Sequence, residues 1–176
     1  RLYLSPKAIF DGHTALRGGV PVCFPQFAGE GPLPKHGFAR NKRWEVGSSR
    51  AGKDFAVTTL QLADDADTRA LWPHAFAAEM SISIGGGRLD MELEVTNTGD
   101  SPFTFTAALH TYLKVREMEA LRMEGLRGLD YRDSADEGRI KKESSVGVLI
   151  EDETDRIYHG TPPTLLVRED HRAMGI

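Results

Sequence analysis

Among its 176 residues the chain has one cysteine, Cys23, which excludes an intrachain disulfide and a cysteine-based metal site. No window approaches the roughly 18 consecutive apolar residues a membrane-crossing helix needs, so such a helix is excluded. Sustained helical periodicity is nearly absent, which argues against an α/β layer structure. Positive charge is not in excess either: the net charge of -4 argues against a general nucleic-acid binder, though not against a local anion site. There is no Gly-x-Ser-x-Gly elbow, and Cys23 sits between Val22 and Phe24, so a serine or thiol nucleophile has weak support. The six histidines, at 13, 36, 74, 110, 159 and 171, form no His-x-His or His-Glu-x-x-His pair, so no local metal motif exists.

Turn residues, by contrast, are plentiful. The 18 Gly and 9 Pro make up about 15% of the chain, against about 12% in average usage. With 40% hydrophobic and 27% charged residues, the composition is that of an ordinary globular domain and excludes a disordered or collagen-like polymer. A chain of this length buries roughly 70% of its unfolded surface, enough for one core without disulfides or metals.

Period-two alternation recurs in short runs between turn signals. Met80, Ile82 and Ile84 alternate with Ser81 and Ser83, Gly85-Gly86-Gly87 intervenes, and Leu89, Met91, Leu93 and Val95 alternate with Asp90, Glu92 and Glu94. This predicts an antiparallel hairpin with one buried face. A phosphate-cradling reading of the three glycines loses, because a strand rather than a helix with a Lys-Ser or Lys-Thr pair follows. After the turn cluster at 97–102, alternation resumes over 103–112, placing Phe103, Phe105, Ala107 and Leu109 on a core face and Thr104, Thr106, Ala108, His110 and Tyr112 on a polar one. Further strands are predicted at 44–46, 55–62, 118–123, 146–151, 156–158 and 164–167, with a short helical turn at 67–74 broken by Pro73. The pattern is that of an all-β sandwich.

Three stretches look unlike packing alone. Leu16-Arg17-Gly18-Gly19-Val20-Pro21 forces a tight path beside an arginine whose planar fork suits phosphate or carboxylate. A surface loop with a solvated arginine is the competing reading. Pro34-Lys35-His36-Gly37-Phe38-Ala39-Arg40-Asn41-Lys42-Arg43 carries four cations, a histidine and no acid, a patch too small for duplex nucleic acid but suited to one phosphate. A solvated basic loop, with His36 satisfied by backbone partners, explains it equally well. In Leu109-His110-Thr111-Tyr112, His110 lies on a polar strand face, poised for proton transfer near neutral pH or hydrogen-bonded beneath a loop.

Taken in order, Ser5-Pro-Lys-Ala-Ile-Phe, Leu16-Arg-Gly-Gly-Val-Pro-Val-Cys-Phe-Pro, His36-Gly-Phe-Ala-Arg, Trp72-Pro-His, Ala108-Leu-His-Thr-Tyr and Asp155-Arg-Ile-Tyr resemble the aldose 1-epimerase superfamily. They are most similar to its D-hexose-6-phosphate mutarotase (glucose-6-phosphate 1-epimerase) branch, from about residue 2 to about residue 160. The resemblance implies an all-β galactose-mutarotase-like β-sandwich, or supersandwich, whose concave face binds sugar. It also implies interconversion of the α and β anomers of a hexose 6-phosphate, with no cofactor and no metal. The implied catalytic histidine falls on His110, and the implied substrate-binding residues are Arg17, Lys35, His36, Arg40 and Asp155. Lys35 stands where this branch commonly has glutamine. The implied general base, a glutamate near the end of the domain, has no counterpart: Glu151, Glu153 and Glu169 lie in no matching context.

The chain opens at Arg1 rather than Met and stops at Ile176 without a cap or turn, so residues 1–176 are expected to be a partial sandwich domain, incomplete at both ends and inactive alone. A monomer with a small-molecule hexose 6-phosphate substrate, no nucleic-acid partner and no membrane partner is expected. The lack of disulfides points to the cytoplasm, and an upstream targeting peptide would lie outside the sequence. Two rival readings are a non-catalytic carbohydrate-binding sandwich and a mutarotase of neutral aldoses.

Overall fold

The computed structural model describes residues 2–11, 14, 16–160 and 162–176. Their contacts divide the chain into two compact units, Leu2–Tyr112 and Leu113–Ile176, each with buried residues of its own where the length predicts one core.

In the first unit, alternating sequence produces the main sheet. Strands β2 (Glu45–Ala51), β3 (Phe55–Ala63), β4 (Phe76–Gly85) and β5 (Arg88–Asn97) pair antiparallel in chain order. A two-residue turn joins β4 to β5, with Gly86 at φ +55° and Gly87 at +79°, the double left-handed geometry of a type I′ hairpin. That turn sets the register. Met80 faces Leu93, Ala78 faces Val95, and Leu60 and Leu62 of β3 face Met80 and Ala78, so every second residue of three strands lands on one apolar face. On the opposite face Gln61, Glu79 and Glu94 stand in one row, and Gln61 Nε2 donates to Glu79 Oε2 at 2.8 Å.

Between β3 and β4 lies α1 (Ala66–Leu71), started by a closed capping box. Asp65 Oδ1 accepts the Thr68 N–H at 2.7 Å, and Thr68 Oγ1 accepts the Asp65 N–H at 2.8 Å. The helix ends at Trp72, the residue before Pro73, as the helical turn predicted at 67–74 requires.

The core sits on the apolar face of the sheet and is centred on Phe24, which is fully buried. The rings of Phe38, Trp72, Phe76 and Phe105 meet it edge-on at centroid distances of 5.2–6.3 Å. Phe24 follows β1 (Val22–Cys23), which pairs antiparallel with β6 (Ala108–Leu109). Here the structure departs from the continuous strand predicted over 103–112. Only β6 is a strand; Phe103 and Leu109 pack on the core as the alternation predicts, and Phe105 lays its ring against Phe24 while remaining 43% exposed. The pairing register itself runs on, with Thr106 N–H donating to Pro25 O at 3.0 Å, but Pro25 has no N–H to return the bond, and the Thr106 hydroxyl accepts the Phe27 N–H at 2.8 Å. A proline on the facing segment ends the ladder.

The second unit has two antiparallel sheets of short strands. One contains β7 (Arg122–Glu124), β10 (Gly147–Leu149), β12 (Leu166–Glu169) and β13 (Arg172–Gly175) in the order β10-β7-β12-β13. The other places β8 (Asp130–Asp133) between β9 (Arg139–Lys142) and β11 (Arg156–His159). No apolar alternation marks β8 or β9, whose sequences are rich in charge, or β13, which reads Arg-Ala-Met-Gly. Leu121, Leu126, Tyr131, Val148 and Val167 are buried, and so is Glu143. Glu143 Oε2 accepts the Tyr158 hydroxyl at 2.8 Å and Arg156 Nη1 at 3.2 Å, while its Oε1 accepts the Ser145 N–H at 2.9 Å.

Candidate functional site

The basic loop stands on the aromatic core. Phe24 forms a parallel bridge with Gly37, and its carbonyl accepts the N–H groups of Phe38 and Ala39 at 3.0 and 3.1 Å. Gly37 permits this approach: at φ +68°, a Cβ there would lie 2.2 Å from Phe24 O. Residue 36 is therefore carried on a buried, rigid base. Arg40 folds back along the loop, its Nη2 donating to Lys35 O at 3.0 Å, and both Lys35 and Arg40 are exposed.

His36 occupies the left-handed region at φ +71°, a conformation rare for a residue with a side chain. Two bonds to one residue hold it there. Its N–H donates to Ala28 O at 2.9 Å, and its Nδ1 accepts the Ala28 N–H at 3.2 Å. Since Nδ1 accepts, the ring proton sits on Nε2. Burial, joined by the charges of Arg40, His110 and Lys35, holds the imidazole below its ordinary value. His36 is thus a neutral Nε2–H donor at neutral pH.

His110 is brought beside it. The two ring centroids are 5.9 Å apart and packed edge-on, with Phe27 against His36 at 5.7 Å and Tyr112 against His110 at 5.2 Å. The register of β1 with β6 makes this meeting, because it continues past Leu109: His110 N–H donates to Pro21 O at 3.0 Å, and Tyr112 N–H donates to Gly19 O at 2.9 Å. The Arg17 segment belongs to the same ladder. Gly19 N–H donates to Tyr3 O and Ser5 N–H to Arg17 O, both at 2.8 Å, and a Cβ on Gly18 would lie 2.5 Å from Tyr3 O. The structure therefore brings Lys35, His36, Arg40 and His110 together and zips the exposed Arg17 into the His110 ladder.

Asp155 lies in the second unit, exposed, just before β11, where its carbonyl accepts the Ser134 N–H at 2.7 Å. Cys23 is buried, and burial, only partly offset by the Arg40 charge, pushes its thiol up, so it is no thiolate nucleophile. Among the described residues no cluster of three or more His, Cys, Asp or Glu is arranged to hold a metal ion.

Two contributors carry no motif. Ala28 acts through its backbone, at φ +49°, which residue type does not reveal. Gln26 is buried and bonded to the loop it begins; its one signal in the sequence is a lone polar residue in Phe24-Pro25-Gln26-Phe27. The arrangement offers two imidazoles in ring contact, one of them an Nε2–H donor, rimmed by cations. That suits proton transfer on a small anionic molecule.

Comparison with known proteins shows what the chain as a whole is similar to. The aldose 1-epimerase family model matches residues 1–176. A protein of Cenchrus ciliaris named "Putative glucose-6-phosphate 1-epimerase" is 35% identical over 176 residues, covering 94% of this chain and 53% of that protein. An Escherichia coli K12 protein of the same name is 33% identical over 159 residues, covering 89% of this chain and 52% of that protein. The crystal structure titled as a "putative mutarotase" from Salmonella typhimurium superposes with a TM-score of 0.86 at 30% identity, over 96% of this chain and 56% of that one. The chain thus has the all-β mutarotase sandwich fold, and it spans about half the length of the relatives it matches.

Proposed function

We infer function from one premise: this chain belongs to the aldose 1-epimerase family. The reaction proposed is the interconversion of the α and β anomers of a hexose 6-phosphate. A base removes the proton from the anomeric hydroxyl as an acid protonates the ring oxygen, the bond from the anomeric carbon to the ring oxygen breaks, and a carbonyl forms. Rotation and the reverse steps give the other anomer. His110 is the acid, His36 donates from Nε2 to a sugar oxygen, and Arg40, Lys35 and Arg17 offer charge-assisted bonds to phosphate. Asp155 is assigned to sugar hydroxyls. Each positioned proton donor or acceptor is worth about 100- to 10,000-fold in rate.

The observation that carries this reading is the His36–His110 pair, at 5.9 Å and bordered by the cations of the Lys35–Arg40 loop. The test is anomer exchange of glucose 6-phosphate and of glucose, followed by magnetisation-transfer NMR with the full-length protein that carries this chain. Faster exchange of the phosphorylated sugar supports the proposal. Equal rates would move the substrate class to neutral aldoses, and binding without exchange would leave a carbohydrate-binding module.

A further inference from the structure

One side chain of the His36 loop has no part in that chemistry. Gln26 is 3% exposed, and its amide bonds to backbone: Nε2 donates to Ala28 O at 3.3 Å and Leu33 O at 3.0 Å, and Oε1 accepts the Leu33 N–H at 2.9 Å. The loop closes tightly over this amide, since a Cβ on Gly31 would lie 2.4 Å from Gln26 Oε1. Gln26 thereby shares the Ala28 carbonyl with the backbone N–H of His36, while the Ala28 N–H is the donor to His36 Nδ1. We propose that Gln26 is a positioning residue: by holding Ala28 in its left-handed conformation, it keeps the Ala28 N–H on Nδ1 and so fixes His36 as an Nε2–H donor.

The consequence is a division of labour between two imidazoles. A backbone N–H facing Nδ1 excludes a second proton there, because two N–H groups would then point at each other without an acceptor. His36 can donate to a ligand oxygen but cannot take up a proton at either nitrogen, which leaves the proton transfer of the proposed reaction to His110. Burial of His36 and the charges of Arg40, His110 and Lys35 act in the same direction. This inference rests on the role given to His36 in the proposed reaction, whereas its structural part is tested without activity.

Long-range 1H–15N spectra of the histidine side chains report the tautomer directly. At pH 7 the wild-type chain is expected to show His36 protonated at Nε2 and bare at Nδ1. Gln26→Glu keeps the length and an acceptor for the Leu33 N–H but cannot donate from its carboxylate, and is expected to shift the tautomer ratio about fivefold or more away from Nε2–H, the weight of a lost hydrogen bond. Gln26→Met removes both polar ends without adding charge and should do the same; Ala28→Gly, which keeps the amide and suits φ +49°, should leave the tautomer unchanged. A wild-type His36 protonated at Nδ1 would overturn the proposal without any variant. So would a folded Gln26→Glu or Gln26→Met chain with the wild-type ratio. In the full-length protein, glucose 6-phosphate is expected to move the His36 Nε2 resonance; a locked tautomer that the sugar phosphate leaves unmoved would sink the functional reading and leave the Gln26 geometry standing.

Discussion

His110 extends one residue past β6, exposed, with its ring between those of His36 and Tyr112. If it is the acid, His110→Ala in the full-length protein lowers kcat by about 100-fold or more with a modest change in sugar-phosphate affinity. Retained turnover would remove it from that role. Arg40 stands differently: one guanidinium nitrogen is spent on Lys35 O, and the exposed remainder is free of any described acid partner. Arg40→Ala is expected to raise KM for glucose 6-phosphate about tenfold, the weight of a charge-assisted bond, and KM for glucose far less. An equal change in both would shift Arg40 from phosphate to sugar ring. At this scale the sequence already singled out the side chains proposed for the chemistry, because imidazoles and guanidiniums announce themselves by type. It was silent on Ala28, whose contribution is a backbone conformation.

Among the elements, two glycines at similar φ should respond differently to alanine. Gly86, at φ +55° in the hairpin turn, has open space where a Cβ would go, so Gly86→Ala costs backbone strain alone, about 1 kcal/mol. Gly37, at +68°, would put its Cβ 2.2 Å from Phe24 O, so Gly37→Ala adds a backbone clash and should destabilise by more than about 2 kcal/mol while displacing His36. Chemical denaturation of both variants, with equal losses, would show that the loop yields more readily than its bridge to Phe24 implies. Thr68→Val tests α1 in the same way: it removes one half of the capping box from a fully buried position, at an expected cost of about 1 kcal/mol. The β4–β5 hairpin was legible because its signal is local, period-two residues around a glycine turn. The stretch 103–112 misled because its alternation is equally local, while the segment facing it carries Pro21 and Pro25, which return no N–H to His110 and Thr106 and so break the ladder on both sides of β6.

For the molecule as a whole, acid stability follows from Glu143 in the second unit. Burial is the largest influence on it and pushes its carboxyl up, but the Ser145 N–H, the Tyr158 hydroxyl and the Arg156 charge together outweigh burial and hold it below its ordinary value. The folded state therefore binds that proton less tightly than the unfolded chain does. The stability contributed is fully present above the unfolded value, about 4.5, and is lost as pH falls through the lowered folded value. Thermal melts between pH 7 and 3 should show the loss in the wild type and a flatter profile in Glu143→Gln, from a starting point lower by on the order of 2 kcal/mol. Parallel profiles would mean that other carboxylates govern the acid limb. Activity also belongs to this scale. The chain spans about half the length of the relatives it matches, and Glu151, Glu153 and Glu169 lie in no context that matches the implied base, so the 176 residues alone are expected to give no anomer exchange above the spontaneous rate. Clear exchange by this chain would overturn that expectation.

The scarcity of cysteine, helical periodicity and positive charge, set against abundant glycine and proline, was enough to determine the all-β class and the placement of the main hairpin. The ordered motifs pointed to the family, and the acid-free run from Lys35 to Arg43 to an anion-binding loop. These are properties of composition and short-range period, which the chain carries wherever it folds. Only the tertiary structure decided that His36 meets His110, that Nδ1 of His36 is closed by Ala28, and that Gln26 bonds to the Ala28 carbonyl. Those facts depend on the pairing of β1 with β6 and on the bridge between Phe24 and Gly37, contacts between distant segments that no local pattern encodes.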